Sequence, residues 1–130
     1  MKRQIFRIVF NTFLIIPAVV FLFTGYRWLV SPEAAASTLM MPLLRGAALS
    51  SQIGDIGGLF LAMGLLVTGA VVSRKGDWLL SVSILLACVA IFRILAYSIH
   101  GAALVRQMVV LEIVLSIWFG IASRKISKQE

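Results

Sequence analysis

Residues 50–72 read Ser50-Ser51-Gln52-Ile53-Gly54-Asp55-Ile56-Gly57-Gly58-Leu59-Phe60-Leu61-Ala62-Met63-Gly64-Leu65-Leu66-Val67-Thr68-Gly69-Ala70-Val71-Val72. A helix of about 20 mostly apolar residues is enough to cross a bilayer, and this run is longer. It carries one carboxylate, Asp55. On insertion scales a charge at the centre of such a span costs about 2.5–3.5 kcal/mol unless the protein supplies a partner. The rest of the chain must therefore answer Asp55.

The composition supports a membrane setting. Of 130 residues, 61% are hydrophobic and 13% charged, with a mean hydropathy of +1.03. Soluble domains are about 45–50% apolar and about 25% charged. Four spans of about 20 residues with short connections use up nearly all of this length, which leaves no room for a soluble catalytic domain. The expected fold is all-α, a single integral-membrane four-helix bundle over residues 1–130. The helices fall at about 8–30, 50–72, 78–99 and 103–122, with a polar tail at 123–130. A net charge of +7 raises nucleic-acid binding, but the basic residues cluster at helix ends, where topology explains them. No nucleic-acid partner is expected.

The first segment opens Met1-Lys2-Arg3-Gln4-Ile5-Phe6-Arg7 and continues apolar to about Val30. The basic start and Ala34-Ala35-Ala36 would also suit a cleavable signal peptide. A signal core spans about 7–15 residues, and this run is longer, so a retained anchor is expected. Pro17 should bend the helix or free a carbonyl within it. Ser31-Pro32-Glu33 then has the form of a helix start. A short helix lying at the membrane surface is expected near Pro32 to Leu39, stopping before Met40-Met41-Pro42 because the residue before a proline disfavours helix. His100-Gly101 should end the third span, with Gly101 just past its last residue. Cys88 cannot form an intrachain disulfide, since it is the chain's single cysteine, and is expected to serve packing.

Lys and Arg set orientation. Eight of them (Lys2, Arg3, Arg7, Arg74, Lys75, Arg124, Lys125 and Lys128) fall on one side, and three (Arg27, Arg45 and Arg106) on the other. Both termini are thus expected in the cytoplasm. Trp78 and Trp118 fall near the inner boundary and Tyr26 and Trp28 near the outer one, as aromatic belts do.

Three ionisable residues remain inside the spans: Asp55, Arg93 and Glu112. At about 1.5 Å per residue they lie roughly 8, 10 and 13 Å below the outer helix ends. Arginine can offer paired hydrogen bonds to carboxylates, so Arg93 is expected between Asp55 and Glu112. Helical spacing puts Arg93, Tyr97 and His100 on one stripe and Glu112 on one face with Met108 and Ser116. It puts Asp55 with Gln52, Gly58 and Ala62. The run Gly54, Gly58, Ala62 should let another helix approach closely. Arg106 is out of phase with Glu112 and belongs among head groups. The candidate site is therefore Asp55, Arg93, Glu112, Tyr97, His100, Gln52 and Gly58.

Such a cluster could be a fixed internal clasp, the wall of a cavity for a lipid or other amphiphile, or a working proton or ion site. His100 stands at a helix end, where an interfacial role is simpler than a catalytic one. One His and one Cys make no convincing metal site. The sequence has no phosphate loop, nucleophile elbow, dinucleotide fingerprint or haem-binding histidine pair. No metal or cofactor is expected. A non-enzymatic accessory or binding subunit is the favoured reading. A small oligomeric proton-coupled carrier and a membrane enzyme using the acids as acid/base groups are the alternatives. Small multidrug carriers have a similar size but hold their key acid on the first helix, which here has no internal charge.

The stretch Gly54-Asp55-Ile56-Gly57-Gly58-Leu59-Phe60-Leu61-Ala62-Met63-Gly64-Leu65, followed by Arg93, Gly101 and Glu112, resembles a bacterial family of small four-helix membrane proteins grouped as domain of unknown function 4345. The resemblance spans about Phe10 to Ala122. It implies a bacterial, multi-pass protein of the cytoplasmic (inner) membrane with Asp55, Arg93 and Glu112 as family features, and it implies no activity. A looser fold-level similarity to DoxX-like membrane proteins implies an accessory subunit. The expected partners are membrane lipid, an amphiphilic small molecule, and a partner membrane protein or a second copy. Topology reporters fused to residues 1 and 130 should both read cytoplasmic; a periplasmic reading at either end overturns the orientation.

Overall fold

The computed structural model describes residues 1–127, without the side chains of Lys2, Arg3, Phe6, Arg7 and Ser127; Lys128-Gln129-Glu130 of the expected tail lie outside the described residues. Among the described residues the secondary structure is wholly helical. The helices are α1 (Lys2–Val30), α2 (Pro32–Thr38), α3 (Ala47–Ser51), α4 (Gly58–Ser73), α5 (Gly76–His100) and α6 (Arg106–Ser127). Between α3 and α4 the chain makes a wide π-helical turn, Gln52–Gly57, so Ala47 to Ser73 forms one continuous helical rod. Among the described residues three helical segments are long and apolar enough to cross a membrane: Ile8–Val30, Ala47–Ser73 and Gly76–His100. The fourth expected span exists as a helix, α6, but is not one of these three. It starts at Arg106 rather than near 103, and it continues through Ser123 to Ser127, which was expected to be a polar tail.

The chain divides into two compact units, Met1–Val71 and Val72–Glu130. In the first, α1 buries Phe10, Leu14, Ala18, Phe21 and Trp28, a spacing of three and four that keeps one stripe inward. Its other faces expose Ile8, Phe13, Ile16, Val19 and Phe23. A chain that leaves this much apolar surface uncovered suits lipid rather than water. Pro17 lies within an uninterrupted helix. Thr12 and Thr24 donate their hydroxyls to the carbonyls of Ile8 and Val20, one turn back. Such back-bonding settles a hydroxyl without help from solvent. α2 starts with proline at its first position as expected, but Ser31 makes no side-chain capping bond.

α1 and α4 run antiparallel and touch through glycine. A Cβ on Gly25 would stand 2.8 Å from the Leu61 backbone nitrogen, one on Gly64 2.6 Å from Leu22 Cγ, and one on Gly57 2.7 Å from Trp28 Cβ. These distances correct the expected packing run. Gly54 and Gly58 are exposed, and a Cβ on either would meet nothing within 4 Å; Ala62 is exposed too. The face that allows close approach is that of Gly57 and Gly64. Phe21 and Phe60 add a tilted ring contact with centroids 6.1 Å apart.

In the second unit α5 and α6 pack along their length as an antiparallel hairpin. α5 buries Leu79, Val82, Leu86 and Ala90; α6 buries Val109, Phe119, Ala122 and Ile126. Cys88 is exposed rather than part of this packing. Gly101 takes the left-handed conformation at φ 65° and ends α5 as expected. The amides of Gly101 and Ala102 turn back onto the carbonyls of Tyr97 and Ala96.

Gly25→Ala should lower unfolding stability in detergent by about 1–3 kcal/mol, because the new methyl meets backbone and the two helices must part. Gly58→Ala should be neutral or raise stability by up to about 1 kcal/mol, through helix propensity. Equal losses from the two changes would overturn the assignment of the packing face.

Candidate functional site

Each unit holds part of the expected constellation. In the second unit Arg93 Nε donates to Glu112 Oε1 at 2.8 Å, the expected ion pair between α5 and α6. The contact is end-on, through one nitrogen and one oxygen, and not the two-pronged fork expected of a bridging arginine. It is also only partly buried: the Arg93 side chain is 36% exposed and that of Glu112 13%. Glu112 Oε2 is enclosed and has no hydrogen-bond partner among the described residues.

One turn further along α6 lies a second polar contact. Ser83 donates to the Ser116 carbonyl at 2.7 Å, and Ser116 donates to the Ser83 carbonyl at 2.8 Å. A Cβ on Gly120 would stand 3.2 Å from the Ser83 hydroxyl, so glycine leaves that hydroxyl its room. Glu112 and Ser116 share a face as their spacing predicts. Ser83 was not among the expected site residues, although Leu79, Ser83, Leu86, Ala90 and Arg93 recur at helical spacing. Tyr97 is 53% exposed, and His100, at the last turn of α5, is exposed. The stripe Arg93, Tyr97, His100 thus leads from the ion pair to the end of the helix.

The first unit holds Asp55, Gln52 and Gly58. Asp55 sits in the π turn with an exposed side chain, and no partner reaches it among the described residues. Gln52 is buried, 5% exposed, with both ends of its amide spent on the preceding loop. Its Oε1 accepts from the Leu44 amide at 3.0 Å, and its Nε2 donates to the Pro42 carbonyl at 3.0 Å. It therefore braces the segment between α2 and α3. Gly58 is exposed beside the π turn. In a π turn the backbone bonds reach from i to i+5 instead of i+4. Gln52 and Gly57, five apart, accordingly both point inward. Above them Trp28, Ala35 and Ala36 form a buried cluster with Leu39, Met41, Ile53 and Ile56 packed against it. The Trp28 indole N–H is enclosed there without a partner among the described residues. Arg27 reaches Thr38 Oγ1 at 3.3 Å, tying the end of α1 to α2.

Of the three charges expected together, the second unit itself joins two, Arg93 and Glu112. Asp55 belongs to the first unit. Arg106 is exposed, in keeping with its phase. No group of three His, Cys, Asp or Glu that could hold a metal ion occurs among the described residues.

No protein-family model, curated protein or solved structure matches the chain.

Arg93→Leu strips Glu112 of its donor and should cost about 1–3 kcal/mol. Glu112→Gln keeps an oxygen that can accept from Arg93 Nε and should cost under about 1 kcal/mol. Thermal unfolding in detergent should rank the two in that order; the reverse order would mean the pair does not hold α5 to α6.

Proposed function

We propose that this chain is a non-enzymatic, multi-pass protein of the bacterial cytoplasmic membrane: an accessory or binding subunit that holds the anionic head of an amphiphile at Arg93. The observation that carries this is the half-open ion pair. A guanidinium committed to Glu112 through Nε alone keeps its other N–H groups, and the side chain is 36% exposed. An acidic head group could take those donors in the paired geometry that arginine favours. Tyr97 and His100 continue the polar stripe towards the helix end, while the exposed Phe92 and Ile94 flank it with apolar surface for a tail. The reading rests on the second unit alone. Its bacterial setting and its link to the four-helix family of unknown function come from the resemblance carried by Gly54–Leu65, Arg93, Gly101 and Glu112. In this proposal α6 is a fourth span, and a partner membrane protein or a second copy is its natural company.

A second reading, a small proton-coupled carrier, is favoured by Asp55. It is a carboxylate inside an apolar segment, exposed and without a partner among the described residues. Intramembrane acids of this kind mark proton relays in pumps and transporters.

Native mass spectrometry of the chain extracted in mild detergent should find a co-purifying acidic amphiphile. Arg93→Gln should release it and Ser116→Ala should retain it. An empty wild-type protein, or an adduct indifferent to Arg93→Gln, overturns the binding reading. Flux driven by a pH gradient in proteoliposomes, abolished by Asp55→Asn as well as by Glu112→Gln, would instead establish the carrier.

A further inference from the structure

We propose that the α4–α5 turn and the end of α6 together form a docking surface for the phosphate groups of anionic membrane lipids. This goes beyond the Arg93 site and uses none of its residues. The reciprocal bonds between Ser83 and Ser116 fix the register of the hairpin. Eight residues back from Ser83 is Lys75, and eight on from Ser116 is Arg124, so the antiparallel register brings both to one end. Arg74, Lys75, Arg124 and Lys125 gather there. Lys75, Arg124 and Lys125 are exposed. Among the described residues Asp77, in the first turn of α5, is the acid at this end, against the four basic residues.

Arg74 distinguishes this patch from basic residues that merely trail off a helix. It adopts φ 60°, the left-handed conformation that side-chain-bearing residues seldom take. Its Nη1 is enclosed with no hydrogen-bond partner among the described residues. The turn thus fixes the guanidinium against the protein without giving that nitrogen an acceptor. Apolar surface begins immediately beside it: Val72 is 79% exposed, Leu80 46% and Trp78 41%. A basic end with a tryptophan, set on an apolar flank, has the layering of the head-group boundary of a bilayer. A soluble anion would have no use for that flank, so the occupant is a lipid phosphate with its acyl chains along the apolar flank of Val72, Trp78 and Leu80.

The test uses the intact chain in detergent, offered an equimolar mixture of phosphatidylglycerol and phosphatidylcholine and read by native mass spectrometry. Wild type should retain the anionic lipid preferentially. Each basic residue removed should cut the preference about fivefold, so Arg74→Gln/Lys75→Gln/Arg124→Gln should nearly erase it. Arg45→Gln/Arg106→Gln, a charge-removing control elsewhere, should keep it. A wild-type measurement covers the case in which the triple variant fails to fold. Raising the ionic strength from about 0.05 to about 0.5 M should collapse the preference, because exposed charges are then screened within a few ångströms. The proposal is overturned by equal retention of the two lipids, by a preference untouched in a folded triple variant, or by one indifferent to salt. Displacement of the lipid by millimolar glycerol phosphate would also overturn it, as the mark of a site for a free anion. Release of an amphiphile by Arg93→Gln reports on the other site and leaves this outcome distinct.

Discussion

A charged side chain on an apolar helix has few places to turn, and Arg93 and Glu112 turn to each other. That 2.8 Å contact sets terms for the whole α5–α6 hairpin. Most of the interface consists of Leu79, Val82, Leu86 and Ala90 against Val109, Phe119 and Ile126. Dispersion contacts of this kind are non-directional and tolerate sliding. The ion pair and the Ser83–Ser116 exchange do not tolerate it. Shifting α6 by one turn would separate both at once and strand a carboxylate, a guanidinium and two hydroxyls. Interhelical hydrogen bonds in membrane proteins contribute modestly, about 0.6 kcal/mol on average in one well-measured case. Their larger effect here is to make one register much better than its neighbours, the best-attested use of buried polar groups. The register in turn sets Lys75 level with Arg124, so the polar seam also decides where the basic end forms.

The first unit meets the same environment differently. It has no described ion pair between its helices; glycine at 25, 57 and 64 brings α1 and α4 into contact at backbone range. Close approach multiplies dispersion contacts, the main attraction between helices when the surroundings are as oily as the interface. The wide π turn at Gln52–Gly57 lies at this contact, with Gln52 and Gly57 both buried. Gln52 then has a second use for its position. Turned inward by the wide turn, it supplies an acceptor for Leu44 and a donor for Pro42. These are backbone groups of a loop that no regular ladder would satisfy.

Much of the second unit was legible in the sequence, and the reason is that α5 and α6 are regular. Counting by threes and fours correctly put Glu112 with Ser116 and Arg93 with Tyr97 and His100. The rise per residue placed Arg93 and Glu112 at similar depth. The same counting failed in the first unit because it presumes a uniform turn. A single π turn rotates every later side chain relative to every earlier one, so the face read as Gly54, Gly58 and Ala62 is not the face that packs. Gln52 was grouped with Asp55 on that same assumption, whereas the structure separates them: one is buried and bound to a loop, the other exposed. Nothing in Gln52-Ile53-Gly54-Asp55-Ile56-Gly57 announces a π turn, although two glycines around an acid suit a segment of relaxed geometry. The end of α6 was missed for another reason. Ser123-Arg124-Lys125-Ile126 is polar on average, but Ser123 and Ile126 continue the inward stripe of Phe119 and keep the helix packed.

The geometry of the ion pair bears on whether it is a fastening or a site. A fastening is best made with both prongs, since two parallel bonds satisfy both carboxylate oxygens and fix the guanidinium plane. Here one prong is used. Glu112 Oε2 is left without a donor while Arg93 holds N–H groups in reserve at the more open side of the contact. An arrangement selected only to hold two helices together would have little reason to leave both partners incomplete. An arrangement proposed to offer a guanidinium to a third party would: the carboxylate need only anchor Nε, and the remaining donors stay on a side chain that is 36% exposed. Under the proposed binding reading the acid orients and the base recognises, and the one-pronged contact between Arg93 and Glu112 is the physical ground for that proposal.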